Sequence, residues 1–259
     1  MSTLAPASHW ILAKYSRLEQ QLAANLETYA LGHSIDALYR YLWDAYADWY
    51  VEYLKTDTSQ VAFARELYTQ FLVLLHPYMP FETEVLWREF AGKSTLLAKE
   101  PRDTAFVSRY ALDTERATEF TQVIEVIERV RSLRGLFAID PATKLEVVSE
   151  SELLHRYAEY LSLLGKTTVR RGEAAAYKLE LLDLSVDILA YIPDQAAERG
   201  RSEKLIAGLQ KQIKGLEAKL GNEKFLTNAD PETVQEARDN LHARRQELAA
   251  QEQKLQILA

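Results

Sequence analysis

The chain has 259 residues, a formal net charge of −7 and no cysteine. The lack of cysteine excludes disulfide scaffolds, thiolate zinc sites and cysteine nucleophiles, and nine glycines are too few for a glycine-rich or turn-rich all-β protein. No apolar run is long enough to cross a membrane, so the sequence predicts a soluble cytoplasmic protein with no membrane partner, and its acidic balance argues against nucleic acid.

Residues 1–139 carry apolar side chains that recur every three to four positions, which is the period of an amphipathic helix. We predict five helices here, the first two N-capped by Ser8 and Ser34. The other three are predicted to cover residues 59–75, 80–90 and 115–136. A set of helices of this number and length indicates a helical bundle.

A different pattern begins at Asp140-Pro141 and continues to residue 199. Short strands are predicted at residues 144–148 and 167–171, with a helix at residues 150–164 between them. Two runs of alternating apolar and polar residues follow and turn near Asp183. Residues 140–199 are therefore predicted to form a small α/β module.

Residues 200–259 show the heptad pattern of a coiled coil. The apolar seam of the first arm consists of Ile206, Leu209, Ile213, Leu216 and Leu220. Asp230 and Pro231 suit the N-cap and first position of a second helix. The predicted fold class is thus mainly α: a helical bundle, then a small α/β module, then an antiparallel coiled-coil hairpin.

No catalytic or metal site can be read from residue spacing. The segment from Gly92 to Thr95 looks like the end of a phosphate loop, but Trp87 stands where the first glycine is required. The five histidines lack metal-ligand spacing. Asp44 and Asp48 lie one helical turn apart, which is more typical of a solvated or ion-paired face than of acid–base catalysis. We predict no catalytic residue, no metal and no cofactor in this chain.

Aromatic residues are concentrated in one predicted helix of the bundle. Seven lie within fifteen positions, namely Tyr39, Tyr41, Trp43, Tyr46, Trp49, Tyr50 and Tyr53. Because a helix has one core-facing side, some of these rings must point elsewhere. They are either packed between helices or form a surface on which unpaired bases stack, and the residues alone leave both open.

Basic residues are concentrated on the first arm of the predicted hairpin. Five lysines lie on this arm or at its tip, namely Lys204, Lys211, Lys214, Lys219 and Lys224. A local basic surface can hold phosphates even when the total charge is negative. The alternative is the ordinary charged flank of a coiled coil.

Four segments, in order, resemble one family. Residues 43–52 read WDAYADWYVE, residues 75–87 read LHPYMPFETEVLW, residues 131–134 read RSLR, and residues 220–226 read LGNEKFL. Together they resemble the C-terminal portion of the valyl-tRNA synthetase family of class I aminoacyl-tRNA synthetases. The last segment, at the turn of the arm, is the most specific of the four.

The resemblance implies that the bundle binds the anticodon stem-loop of tRNA(Val) and that the arm binds the tRNA elbow. Candidate anticodon contacts are Trp43, Trp49, Lys55, Arg131 and Arg134, and candidate elbow contacts are Lys211, Lys214, Lys224 and Phe225. The HIGH and KMSKS motifs of these enzymes are absent from residues 1–259. ATP, magnesium and valine would then belong to a separate catalytic portion of the synthetase, and this chain alone is expected to be an inactive monomer.

A second interpretation comes from another class of protein. The Leu and Ile seam of the hairpin could serve protein interaction or oligomerisation without specificity for tRNA. An intramolecular hairpin already buries that seam, which favours the tRNA interpretation.

Overall fold

The computed structural model describes residues 4–92, 94–173, 177–178 and 182–258, without the side chains of Tyr177, Lys178 and Lys224. The chain forms two compact units. The first comprises Met1–Ile127 and Arg156–Leu164, and the second comprises Glu128–His155 and Gly165–Ala259. The predicted fold class is confirmed, since a helical bundle, a small α/β module and a helical arm are all present. No helix among the described residues is long and apolar enough to cross a membrane.

The first unit is built almost entirely from helices. These are α1 (Pro6–Glu27), α2 (Leu31–Arg40), a π-helix (Tyr41–Val51), α3 (Val61–Leu75), α4 (Pro80–Glu89), α5 (Phe106–Arg109) and α6 (Thr114–Leu136), whose C-terminal end belongs to the second unit. Helices α3, α4 and α6 agree with the predicted ranges. Each carries an apolar face at helical spacing, and the proline at the start of α4 suits a first helical position.

The two predicted serine caps were wrong. Helix α1 begins earlier, at Pro6, and Ser8 lies inside it, where its hydroxyl bonds the Tyr50 hydroxyl at 2.6 Å and the Gln60 Oε1 at 2.8 Å. Helix α2 begins at Leu31, so Ser34 is a buried residue within the helix. A serine before an apolar run resembles a cap in sequence, but the Ser8 hydroxyl forms tertiary hydrogen bonds instead, and the Ser34 hydroxyl has no hydrogen-bond partner among the described residues.

The π-helix explains how so many aromatic residues fit into one segment. Its i→i+5 hydrogen bonds widen the turn, so that Tyr41, Tyr46 and Tyr50 all face the core. Two of these buried hydroxyls have partners: that of Tyr46 donates to the Ala64 carbonyl oxygen at 2.8 Å, and that of Tyr50 bonds Ser8, whereas the Tyr41 hydroxyl has no hydrogen-bond partner among the described residues. Burial raises the pKa of Tyr50, which keeps its hydroxyl protonated. Most of this aromatic cluster is therefore bundle core.

Residues 156–164 pack with the bundle although they lie in the predicted α/β module. The rings of Tyr157 and Tyr160 contact Tyr53 and Phe120 at centroid distances of 5.4–6.4 Å. The Tyr160 hydroxyl also donates to the Trp49 carbonyl oxygen at 3.0 Å. The compact units therefore do not follow the predicted segment boundaries, because aromatic packing places residues 156–164 in the first unit.

A buried histidine is expected to make the stability of the first unit depend on pH. The His9 Nδ1 atom accepts the Asp113 backbone N–H at 3.1 Å, and burial lowers the pKa of His9. The unfolded state therefore binds the proton more readily, so the stabilisation is present above pH 6.5 and is lost as the pH falls through the lower folded pKa. We expect the urea midpoint to decrease between pH 7.5 and pH 5.5.

His9→Gln should flatten this pH dependence, because glutamine does not titrate and can still accept the Asp113 N–H. His33→Gln is the matched control, since His33 is exposed on α2. A midpoint that falls equally in the wild type and in His9→Gln would contradict the assignment.

The second unit contains a four-stranded mixed sheet. Its strands are β1 (Leu145–Val148), β2 (Thr167–Arg170), β3 (Tyr177–Lys178) and β4 (Ser185–Val186), in the order β2-β1-β4-β3. Strand β1 pairs parallel with β2 and antiparallel with β4, and β4 pairs antiparallel with β3. Between β1 and β2 the predicted single helix divides into α7 (Glu152–Arg156) and α8 (Ala158–Gly165).

The arm is an antiparallel helical hairpin. It consists of α9 (Gln195–Leu220), the short α10 (Glu223–Asn228) at the tip, and α11 (Pro231–Ile257). Ion pairs Glu198–Lys254 and Glu217–Arg245 show the antiparallel direction. The predicted cap at Asp230 is confirmed, since its carboxylate accepts the Glu232 N–H.

Candidate nucleic-acid interface

Arg134 is a structural residue, which corrects its predicted place among the tRNA contacts. Its side chain is buried at 6% exposure in the second unit. The guanidinium donates to the carbonyl oxygens of Asp140, Thr143, Gly165 and Lys166 at 3.4, 2.6, 3.2 and 2.7 Å. These carbonyls lie just before β1 and β2, so Arg134 holds the starts of both strands. The guanidinium is therefore not accessible to a phosphate.

The other predicted anticodon residues differ in their access to solvent. Arg131 is exposed on α6 in the second unit. Lys55 is exposed in the first unit and pairs with Glu52 at 2.6 Å. Trp49 is only partly exposed, and its carbonyl oxygen is used by Tyr160. Trp43 alone among the predicted aromatic contacts presents most of its ring to solvent, at 56% exposure.

Trp43 is half of an exposed aromatic pair in the first unit. The rings of Tyr39 and Trp43 are stacked, with centroids 6.3 Å apart and an interplanar angle of 8°. Tyr39 is 60% exposed, and Leu31 and Ile35 continue the same apolar row toward the start of α2. The spacing of four residues between Tyr39 and Trp43 was the sequence signal for the pair, because it places both rings on one side of a helix.

Carboxylates flank this aromatic pair. Asp36 lies three positions before Tyr39 and Asp44 directly follows Trp43, and both are exposed, as is Arg40 between the two rings in the sequence. Carboxylates repel phosphates, whereas the faces of aromatic rings attract nucleobases irrespective of sequence. The pair is therefore suited to the faces of unpaired bases rather than to the nucleic-acid backbone.

Helix α9 of the arm carries cations that are not neutralised by neighbours. Lys204, Lys211 and Lys214 are exposed, and none of them forms an ion pair with any side chain that the structure describes. The acidic residues of the same helix are paired instead: Glu198 with Lys254 and Arg201, Glu203 with Arg199, and Glu217 with Arg245. The exposed side of α9 is thus locally basic in an acidic chain.

Helix α11 carries more exposed acidic residues than α9, although its Arg238 is also exposed and without an ion pair among the described residues. Arg244 pairs with Glu247, and Arg245 pairs across the arm with Glu217. Glu232, Glu236 and Asp239 are exposed and make no ion pair within the described part of the chain. The two helices of the arm therefore present different charges to solvent.

Three glycines lie inside α9 without a packing reason. A Cβ added at Gly200, Gly208 or Gly215 would meet no atom within 4 Å outside the helix's own backbone. Glycine in a helix interior costs about 1 kcal/mol relative to alanine. Close packing therefore does not require glycine at any of these three positions.

The tip of the arm combines a cation with an aromatic ring. Phe225 on α10 is partly exposed, and the Lys219 Nζ atom lies 4.7 Å from the centroid of its ring. Lys219 was not among the predicted elbow contacts, although its place in the lysine-rich arm was visible in the sequence. The side chain of Lys224 lies outside the described residues, so its predicted contact stays a prediction.

A buried lysine anchors the base of the arm within the second unit. Lys254 is 5% exposed, and its ammonium donates to the Leu136 carbonyl oxygen at 2.6 Å and to Glu198 at 2.5 Å. It also lies 5.3 Å from the centroid of the Phe137 ring. The hydrogen bond from Lys254 lowers the pKa of the Glu198 carboxyl. The start of α9 and the end of α11 are thereby tied to the last residue of α6 and to Phe137, which follows it.

Metal binding has no obvious site in this geometry. Among the described residues, no group of three or more His, Asp or Glu side chains is arranged to hold a metal ion. What the surface offers is two kinds of feature suited to nucleic acid: exposed stacked rings in one unit and unpaired lysines in the other.

Comparison with known proteins defines the class first. Residues 8–149, more than half of the chain, match the family model described as the anticodon-binding domain of tRNA ligase. Residues 194–259 match the model described as the valyl tRNA synthetase tRNA binding arm. The chain belongs to the valyl-tRNA synthetase family and corresponds to the C-terminal region of those enzymes.

Three similar proteins are valine–tRNA ligases. That of Thermotoga maritima is 30% identical over 277 residues, covering 100% of this chain and 31% of the relative. That of Ruegeria pomeroyi is 32% identical, covering 98% of this chain and 27% of the relative. That of Mycolicibacterium paratuberculosis is 30% identical, covering 97% and 29%. The chain thus spans less than a third of the length of these relatives.

Proposed function

We propose that this chain binds tRNA(Val), with the bundle on the anticodon stem-loop and the arm on the tRNA elbow, in support of valylation by a catalytic portion of the synthetase. The observation that carries the proposal is the row of unpaired lysines on α9, which lies in the segment similar to a tRNA binding arm. Unpaired lysines bind phosphates by releasing counterions from the nucleic acid.

The proposal assigns different parts of the RNA to different side chains. Tyr39 and Trp43 stack on unpaired bases of the anticodon loop, and Trp49, Lys55 and Arg131 supply further contacts there. Lys211, Lys214 and Phe225 contact the elbow, with Lys219 held over the Phe225 ring. Arg134 acts only by holding the strands of the second unit.

The same proposal covers cofactors, assembly and location. Binding of tRNA by this chain requires no cofactor held by its own residues, and ATP, magnesium and valine act in the catalytic portion. The chain alone therefore forms no Val-tRNA. It acts in the cytoplasm. It acts there as a monomer, because the apolar seam is already covered between α9 and α11, where Leu209, Ile213 and Ala237 are buried.

The test is a binding titration of the purified chain with a tRNA(Val) transcript and with an unrelated elongator tRNA. We expect saturable binding that prefers tRNA(Val) and weakens linearly in log Kd against log salt concentration. Equal binding of both tRNAs would contradict the specificity, and no binding at low salt would contradict the function itself.

The alternative of a protein-interaction or oligomerisation module is tested on the same sample. Sedimentation at several protein concentrations should show a monomer throughout. Concentration-dependent dimers, together with absence of tRNA binding, would support the alternative instead.

A further inference from the structure

We propose that the arm meets RNA with the outer face of α9, defined by Lys204, Gly208, Lys211 and Gly215, while α11 stays away from the RNA. This inference rests on the proposed function, because it concerns the face with which the arm holds tRNA. The sequence pattern places the predicted elbow contacts Lys211 and Lys214 on α9, but neither that pattern nor the family match says whether α11 also contacts the RNA.

The distribution of charge favours α9. Phosphates are drawn to cations that lack a neighbouring anion, and Lys204 and Lys211 are of this kind among the described residues. On α11, Arg244 and Arg245 are neutralised by Glu247 and Glu217, and the exposed Arg238 lies in the sequence between the exposed acidic residues Glu236 and Asp239. Exposed acidic residues on α11 would repel a phosphate backbone, so the two sides of the arm are not equivalent.

The four residues lie in one row along the helix. They follow each other at spacings of four, three and four, which keeps them on the same side of an α-helix. Leu209 and Ile213 face the other way, since both are buried in the seam against α11. At 1.5 Å per residue, Lys204 and Lys211 are about 10 Å apart along the axis.

The glycines between the lysines allow close approach. An added side chain at Gly208 or Gly215 would point into open solvent, so packing does not account for the lack of one. A bound RNA backbone would occupy that space, and lysines on either side would then reach its phosphates. The missing Cβ atoms bring the helix backbone nearer to the RNA surface.

The chemistry of this face suits the sugar–phosphate backbone of a folded RNA rather than unpaired bases. Residues 201–220 contain no aromatic side chain on which a base could stack. Double-stranded RNA is recognised mainly through its shape, its phosphates and its 2′-hydroxyl groups. The partner of this face is therefore structured RNA, whereas unpaired bases belong to the aromatic pair of the first unit.

The test compares matched charge reversals on the two helices. Lys211→Glu on α9 and Arg238→Glu on α11 change the charge equally, and both residues are exposed. We expect Lys211→Glu to weaken tRNA binding about fivefold or more and to reduce the salt slope by about one. Arg238→Glu should stay within about twofold of the wild type. Lys211→Gln gives a milder variant, and circular dichroism checks that each variant is folded.

A second pair of variants tests the glycines. The double change Gly208→Gln and Gly215→Gln should raise the melting temperature, because both positions are helical, and should nevertheless weaken tRNA binding about fivefold. Ala243→Gln, at an exposed position of α11, is the control and should leave affinity unchanged. Unchanged affinity in the glycine double variant would overturn close approach at this face.

The outcomes separate this inference from the proposed function. A wild-type chain that binds no tRNA would overturn the proposed function. A wild-type chain that binds tRNA while Arg238→Glu weakens it as much as Lys211→Glu would overturn only the choice of face. Loss of tRNA binding confined to the α9 variants supports the inference.

Discussion

Replacement of Arg134 by alanine is expected to destabilise the second unit by about 3–5 kcal/mol. The guanidinium forms two short hydrogen bonds, to Thr143 and Lys166, and two longer ones. A hydrogen bond to a charged group contributes about 1.5–3 kcal/mol, and its loss leaves buried carbonyl oxygens unpaired. Alanine removes all four at once at the starts of β1 and β2.

The measurement is urea denaturation followed by circular dichroism. Arg129→Ala is the control, since Arg129 is exposed on the same helix and should change stability by less than about 0.5 kcal/mol. Arg134→Lys should lie between the two, because an ammonium cannot reproduce the planar fork that serves several carbonyls. An Arg134→Ala protein as stable as the wild type but impaired in tRNA binding would restore the role that the sequence suggested.

Replacement of both Tyr39 and Trp43 by alanine is expected to weaken tRNA binding roughly 10- to 100-fold. Stacking of a base on an aromatic ring is worth about 1–3 kcal/mol by alanine substitution. The two rings are already stacked and more than half exposed, so a base can add to the pair without rearrangement of the core. Because the contact is with base faces, the salt slope should stay near that of the wild type.

Phe81→Ala provides the control for this prediction. Phe81 is 83% exposed on α4 and lies in the same compact unit, but it has no place in the proposed site. We expect its removal to leave tRNA affinity within about twofold. Equal effects of Phe81→Ala and of the aromatic double variant would point to a general loss of surface hydrophobicity rather than to stacking. A competition experiment with an isolated anticodon stem-loop would locate the effect on the RNA.

Local sequence patterns predicted the regular elements of the fold well. Helices α3, α4 and α6 and the antiparallel arm follow from apolar spacing, from proline positions and from the Asp230 cap. Such signals depend only on residues that are close in the chain. In the folded protein, the bounds of these elements are still set by those local residues. Prediction was weaker where distant residues decide the outcome, as at Ser8, whose hydroxyl bonds Gln60 instead of capping a helix.

The candidate site also has features that the local sequence indicates and features that depend on long-range contacts. Trp43, chosen from the sequence as an anticodon contact, is exposed, and its stacked arrangement with Tyr39 depends on how the π-helix turns its residues. Arg134 and Arg131 looked alike in the sequence, three positions apart on one helix. Burial beneath the starts of two strands makes the first of them structural, and only long-range contacts reveal this.

The sequence by itself determined the class of fold and the family, because apolar periodicity and ordered motifs are properties of the chain alone. It also showed that the negative total charge hides a lysine-rich arm. Only the tertiary structure decided which charges remain available. Ion pairs neutralise the acidic residues of α9 and the arginines Arg244 and Arg245 of α11 but leave Lys204, Lys211 and Lys214 exposed, since pairing depends on distances in space rather than in sequence.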